Sequence, residues 1–411
     1  MEEIKGVMGR ILAWTAVVAT ALAVATVGVP TALAQDDTPH VEVYGFVQAD
    51  YIQDFNRVNP AWNDTLRPSK IPTTDGFYGD DGQAIISARQ SRLGVMMNFP
   101  TSNKSVFTKF EFDMFGVGVD EGQTTIRLRH AYGEWNGWLA GQTNTVFMDA
   151  SIFPNVIDYW GPAGMVFLRN PQIRWSRTLK NSNSFAIALE KPSNDIDQDS
   201  AREVDPDLAA GVQASQKVPD LTAQFRMEPD WGHLQVAGIL RKVSFDTVGT
   251  PDNEPKGSDT GWGIDVTSGI KVAKKDQVLL GVVYGEGIAS YMNDGGVDLA
   301  ADGSVANSSA KAVPLLGISA YYDHYWSEKF SSSFGVSQTQ VDNTGLQTDG
   351  AFYRGQYVSA NLLYYPTKNV FIGAEALWGQ RKDNGGDTGD DARIQCSFHY
   401  SFSTKDIFKK N

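Results

Sequence analysis

Polar and apolar residues alternate strictly in many short segments of this chain. In Ala392 to Phe402, Ile394, Cys396, Phe398, Tyr400 and Phe402 share one parity, and Gln395, Ser397, His399 and Ser401 share the other. The same pattern places Val106, Thr108, Phe110, Phe112 and Met114 opposite Lys109, Glu111 and Asp113. It returns with Leu221, Ala223, Phe225 and Met227 opposite Thr222, Gln224 and Arg226, and with Val358, Ala360, Leu362 and Tyr364 opposite Ser359 and Asn361. Successive strand side chains point to opposite faces, so each segment predicts a two-faced β-strand. No long amphipathic helix interrupts the series beyond residue 34.

The joints between strands come in two sizes. Short ones fall at Pro100 to Asn103, Asn136-Gly137, Pro229 to Gly232 and Pro366 to Asn369. Long ones, rich in Gly, Asn and Asp, fall at Asn56 to Gly82, Ser193 to Pro206, Thr247 to Thr260, Tyr291 to Lys311 and Arg381 to Asp391. Tight turns alternating with long loops are the sign of an up-and-down barrel with periplasmic turns and outward loops. The expected fold is all-β, a transmembrane antiparallel β-barrel of roughly sixteen strands spanning residues 41–402. Lipid forces every backbone polar group into a pair, so a sheet crosses a membrane only when closed. Its apolar face then meets lipid and its polar face the lumen, with Tyr364, Trp378, Tyr400 and Phe402 placed for the interfacial girdles. A soluble sandwich also alternates, but does not explain so many strands with such regular joints.

The N-terminus supports export. An apolar run at Ile11 to Ala34 follows Lys5 and Arg10 and ends in Ala32-Leu33-Ala34, so residues 1–34 read as a cleaved signal peptide. Residues 35–40 then form a short segment before the first strand, and residues 403–411 a C-terminal tail. The single cysteine, Cys396, forms no internal disulfide and leaves zinc ribbons and thioredoxin chemistry without ligands. The formal net charge of -13 argues against nucleic acid as a partner. Outer-membrane lipid and lipopolysaccharide are the expected surroundings.

Between the fifth and sixth strands the alternation stops for more than twenty residues. Phe147, Phe153, Val156, Ile157, Tyr159 and Trp160 make the stretch too apolar for an exposed loop. Long structureless loops are usually functional. A segment at about 145–165 is therefore expected to fold into the lumen, with Asp149 and Asp158 presenting carboxylates at the constriction. Arginines gather on the early strands: Arg89 and Arg92, Arg127 and Arg129 two apart, Arg169 and Arg174. A guanidinium on the lipid face is costly, so these should face the lumen or the rim. An arginine ladder in a narrow pore orients anions that accept bidentate hydrogen bonds. The same arginines could instead pair with Glu111, Asp113 and Glu134 and only brace the wall.

Catalytic and metal signals are weak. The five histidines, His40, His130, His233, His324 and His399, fall in no H-E-x-x-H, and there is no G-x-S-x-G. The acidic run Asp383 to Asp391 would place Ile394 where a calcium loop needs Glu. No catalytic residue, metal ligand or cofactor is assigned.

Val41 to Tyr51, Ala88 to Val95 ("ARQSRLGV"), Phe110 to Gly116 ("FEFDMFG"), Arg127 to Trp135 ("RLRHAYGEW"), Leu139 to Asp149 and Arg169 to Trp175 together resemble the DcaP-like family of bacterial outer-membrane porins. The resemblance implies a sixteen-stranded trimeric barrel with its third loop folded inward. It also implies passive uptake of small anionic solutes, dicarboxylates among them. The matching arginines are Arg89, Arg92, Arg127, Arg129 and Arg174, and the inward loop matches at Asp149 and Asp158. Some family members carry a coiled-coil extension. Here only Gln35 to His40 lies between the expected cleavage site and the first strand, so barrel walls would hold any trimer. Such barrels commonly end on an aromatic residue, and that residue is expected at Phe402, or at Phe408 if the last strand runs further. The expectation is an outer-membrane porin and not an enzyme. A non-selective pore is the alternative, and a barrel enzyme or adhesin a more distant one.

Overall fold

The computed structural model describes residues 39–79, 81–102, 104–116 and 125–407. The expected signal peptide, most of the segment behind it, and Phe408 lie outside the described residues. One sheet of eighteen strand segments closes on itself. Two barrel strands are each broken into two segments, so the barrel has sixteen strands, all antiparallel to their neighbours.

In chain order the barrel strands are β1 (His40–Asp54), β2 (Gln83–Ser87 and Arg92–Phe99), β3 (Val106–Gly116), β4 (Thr125–Trp135), β5 (Trp138–Asn144), β6 (Arg169–Thr178), β7 (Ser184–Glu190) and β8 (Val212–Ala214 and Asp220–Met227). They continue as β9 (Gly232–Thr247), β10 (Gly257–Lys271), β11 (Gln277–Glu286), β12 (Pro314–Tyr325), β13 (Phe330–Val341), β14 (Phe352–Thr367), β15 (Val370–Asp383) and β16 (Thr388–Ser403). β16 pairs with β1 from Tyr44↔Ser403 to Asp54↔Arg393, which leaves no open edge.

The alternation sorts the faces as lipid requires. On β16, Ile394, Phe398, Tyr400 and Phe402 point outward and are exposed, while Arg393, Gln395 and Ser397 are buried inside. Beyond β16 the chain turns into a short helix, Thr404–Ile407. The Thr404 hydroxyl accepts from the Val43 N–H, and Lys405 pairs with Glu42 at 2.7 Å. The tail thus closes over the seam between the last strand and the first.

The barrel interior is not uniformly polar. Three long loops enter it: 55–82 between β1 and β2, 145–168 between β5 and β6, and 287–313 between β11 and β12. Phe147, Met148 and Val166 of the second pack on Ile288, Tyr291 and Met292 of the third, and against Leu315 and Val341 of the wall. Leu66 and Ile71 of the first join Met165, Tyr321, Tyr357 and Leu377 in another cluster. The loop backbone lies directly on the wall here. A Cβ at Gly164 would come 2.2 Å from the Gln338 carbonyl oxygen and 2.4 Å from that of Ile318, so only glycine fits. A hairpin, Leu299–Ser304 with Asn307–Ala312, rises from the third loop at the same rim.

Candidate pore constriction

The loops fill most of the lumen beside β9 to β13 and leave a cavity of about 960 Å³ bordered mainly by β1, β2, β4, β5 and β6, with Phe371 of β15 and His399 of β16. Its wall carries Arg92 (β2), Arg127 and Arg129 (β4) and Arg169 (β6), and its loop side carries Trp62, Arg67, Lys70, Tyr159 and Trp160. A β-bulge concentrates the arginines. Arg127 lies opposite Asp113 and Leu128 opposite Phe112, but His130 then lies opposite Glu111, leaving Arg129 as the extra residue. Two residues facing one bend the strand. The bulge turns Arg127, Arg129 and His130 all toward the interior, where simple alternation would turn in only two of the three.

The four guanidinium groups are held differently. Arg129 is clamped: its Nε donates to Glu111 at 2.8 Å and its Nη1 to Asp113 at 2.8 Å. Arg127 has only a longer contact, Nε to Asp113 at 3.5 Å, and lies 5.0 Å over the Tyr159 ring. Arg92 is 3.7 Å from Glu111 and 5.0 Å over Phe46. Arg169 has no ion pair or hydrogen bond among the described residues, and lies 5.2 Å over Phe167. The two acids are shared further. Tyr44 donates to Glu111 at 2.7 Å and Tyr159 to Asp113 at 2.6 Å. Glu111 and Asp113 therefore lie beneath the arginine layer, buried and not lining the cavity.

Other expected site residues have different places. Arg89 is turned to the rim, paired with Asp64 at 2.6 Å and donating to the Gly116 carbonyl. Arg174 is five residues toward the short-turn rim from Arg169, flanking Leu139 on one side while Glu134 flanks it on the other. Neither lines the cavity.

Asp149 and Asp158 do not present free carboxylates, contrary to the expectation from sequence. Asp149 accepts from the Ser151 N–H at 3.0 Å, Thr267 at 2.7 Å and Arg226 at 2.9 Å, and faces His233 Nε2 at 2.9 Å. Burial pushes its carboxyl up, but the His233 and Ser151 contacts outweigh this and hold it below the usual range. Asp158 borders the cavity, yet it accepts from Thr65, the Leu66 N–H, the Gly161 N–H and Tyr357. Its burial raises its pKa above the usual range. Both are anchors that tie loop 145–168 to other parts of the interior. Glu375 on β15 is a third, accepting from the N–H groups of Ile157 at 2.9 Å and Asp158 at 2.8 Å.

Ser151, His233 and Asp149 meet, but not as a hydrolytic triad. Ser151 Oγ at 3.3 Å and Asp149 at 2.9 Å both face the same ring nitrogen, Nε2. A triad needs one nitrogen for each partner.

Sequence reasoning did not single out the contribution of the first and third loops. Arg67 lies over both Trp62, at 4.3 Å, and Trp160, at 4.0 Å, two rings that meet edge to face. It is paired with Asp294 of the third loop at 2.9 Å. Lys70 stands beside it, and burial followed by the Arg67 charge lowers its pKa. The signal available was Trp62 followed by Arg67 and Lys70 inside an otherwise polar loop.

A closed sixteen-stranded barrel with polar loops folded around a restricted lumen defines a diffusion channel of the bacterial outer membrane. The chain belongs to the DcaP outer membrane protein family, whose model matches residues 24–402. Among solved structures it resembles the outer membrane channel DcaP of Acinetobacter baumannii, with a TM-score of 0.77 and 23% identity over 91% of this chain and 100% of that one. It also resembles an anion-selective porin from Comamonas acidovorans (TM-score 0.56, 9% identity, 89% and 100% covered). The trimer form of OmpT of Vibrio cholerae is similar too (0.51, 13%, 89% and 100%). No curated protein matches the chain.

Proposed function

We propose that this channel favours small anions, with carboxylates and dicarboxylates as its preferred solutes, and that Arg127 and Arg169 make the principal contacts. The observation that carries this reading is the unequal pairing of the arginines. Glu111 and Asp113 are drawn to Arg129, while Arg169 has no acid partner among the described residues and Arg127 only a long one. Four guanidinium groups over two acids leave surplus positive charge on the cavity wall. A planar guanidinium accepts a carboxylate through two parallel hydrogen bonds, and desolvation in a narrow lumen strengthens that contact. Arg92 adds to the field, and Arg129 acts mainly as a brace.

The second reading is a general diffusion pore. The Arg129 and Arg89 pairs favour it, because one is spent on acids of the wall and the other on Asp64 of the first loop. Single-channel recording in a planar bilayer under a salt gradient separates the two. An anion-favouring reversal potential and block by added succinate support the proposal. A cation-favouring or unselective channel indifferent to succinate overturns it. The working form we propose is a homotrimer in outer-membrane lipid and lipopolysaccharide, secreted with cleavage after Ala34. Unheated gel mobility against the heated monomer, and N-terminal sequencing of the purified protein, check these two points.

A further inference from the structure

The Asp294 carboxylate has the surroundings a bound solute carboxylate would need. Arg67 Nε donates to Oδ1 at 3.0 Å, with Nη2 at 2.9 Å from the same oxygen. The Ser69 hydroxyl donates to Oδ1 at 2.6 Å and the Ser69 N–H to Oδ2 at 2.7 Å. The guanidinium rests against both the Trp62 and Trp160 rings, which meet edge to face, and these contacts restrict the fork. Lys70 stands next to it, and Arg67, Ser69, Lys70 and Asp294 all line the same cavity as the arginine wall. Arg127 lies 6.0 Å over the other ring system, Trp160, so the cradle and the wall share an aromatic residue.

We propose that the Arg67–Ser69 cradle is a carboxylate subsite lining the cavity, occupied in this structure by the chain's own Asp294, which a solute carboxylate displaces. The proposal rests on the anion-favouring reading of the channel. Asp294 reaches the cradle from the third loop, just beyond Asn293, whose side chain donates to the Trp160 and Pro162 carbonyls. It is followed by Gly295 and Gly296, at φ +95° and +83°, where non-glycine residues rarely go. Its own N–H makes one long backbone contact, to Ala163 O at 3.3 Å. Exchange of one carboxylate for another conserves the cradle's charge-assisted hydrogen bonds. It therefore avoids leaving Arg67 buried and unpaired, a state that is strongly destabilising. Asp294 thereby acts as an internal competitor, occupying the cradle until an incoming anion replaces it.

The test is Asp294→Asn, which keeps the size and an acceptor oxygen for Ser69 while removing the charge. Single-channel succinate titration of purified, heat-modifiable protein is the readout. The expected result is block roughly tenfold tighter than in the parent, with a more anion-favouring reversal potential. Adding Arg67→Gln to that variant should cancel the gain. Unchanged or weaker succinate block in Asp294→Asn overturns the proposal, as does a gain that survives Arg67→Gln. Failure of the anion reading itself is distinguishable, since it shows in the parent channel as absent anion preference. Asp294→Ser is the second variant should the first not fold. It retains a short polar side chain without charge, and the same two outcomes decide.

Discussion

The two halves of the barrel interior have the same sequence pattern and different uses. On β9 to β15, inward polar residues are covered by loops and spent on them. Thr267 and His233 hold Asp149, Asp323 accepts from the Asn155 N–H at 3.3 Å, and Glu375 holds Ile157 and Asp158. On β1 to β6 the loops reach the wall at fewer points, chiefly through Tyr159 on Asp113 and Arg127, and several inward basic residues border the cavity. There Arg127 and Arg169 line the cavity, Arg127 with one long acid contact and Arg169 with no acid partner among the described residues. Whether an inward polar residue in such a barrel is a structural anchor or lines the cavity therefore depends on what covers it. Its own strand does not decide.

The largest expected break in this contrast comes from the open half. Arg127→Gln with Arg169→Gln should abolish anion preference and weaken succinate block by more than roughly tenfold, since each lost charge-assisted contact is worth about 1.5–3 kcal/mol. Unit conductance in symmetric salt should change much less. Reversal potentials and block titrations on the double variant measure both.

The covered half should respond the other way. Glu375→Ala leaves two backbone N–H groups unpaired, at a cost to loop anchoring on the order of 3 kcal/mol. The expected result is higher and noisier conductance with anion preference retained in sign. Equal conductance to the parent would show that the Asp149, Asp158 and Asp323 contacts and the apolar packing hold the loops without Glu375.

Arg129→Gln sharpens the distinction within the open half. It removes the shortest ion pairs of Glu111 and Asp113, which keep Lys109, Arg92 and Arg127 at longer range, so the unfolding free energy should fall by about 1.5–3 kcal/mol. Its effect on succinate block should be smaller than that of Arg169→Gln alone. The opposite ranking would make Arg129 the selecting residue and not the brace.

The smallest effect concerns pH. Burial and Arg67 lower the Lys70 pKa, so its charge is lost at lower pH than that of an ordinary lysine. Anion preference should therefore begin to decline as pH rises, before the exposed lysines titrate. Lys70→Gln should remove that early phase from the reversal-potential profile.

Much of the fold was legible in sequence because lipid imposes one rule on every strand. The alternation at Ile394 to Phe402 and the two sizes of joint predict a closed barrel of about sixteen strands, and that is the observed architecture. The arginine segments were legible as well, because a guanidinium is excluded from the lipid face. Asp149 and Asp158 show where the reading stopped. Their position in an apolar loop pointed inward correctly, but nothing local says that Thr65, Tyr357, Thr267 and His233 converge on them.

Sequence by itself thus determined the membrane class, the strand pattern, and which faces carry charge, since these follow from transfer of side chains between water and lipid. Only the tertiary structure decided which charges are spent. Pairing of Arg129 rather than Arg169 depends on a one-residue bulge and on strands brought together by the barrel. The Arg67–Asp294 contact joins residues more than two hundred positions apart, through two loops that meet only inside the lumen. Such contacts arise from closure of the sheet and packing of the loops, which no local periodicity encodes.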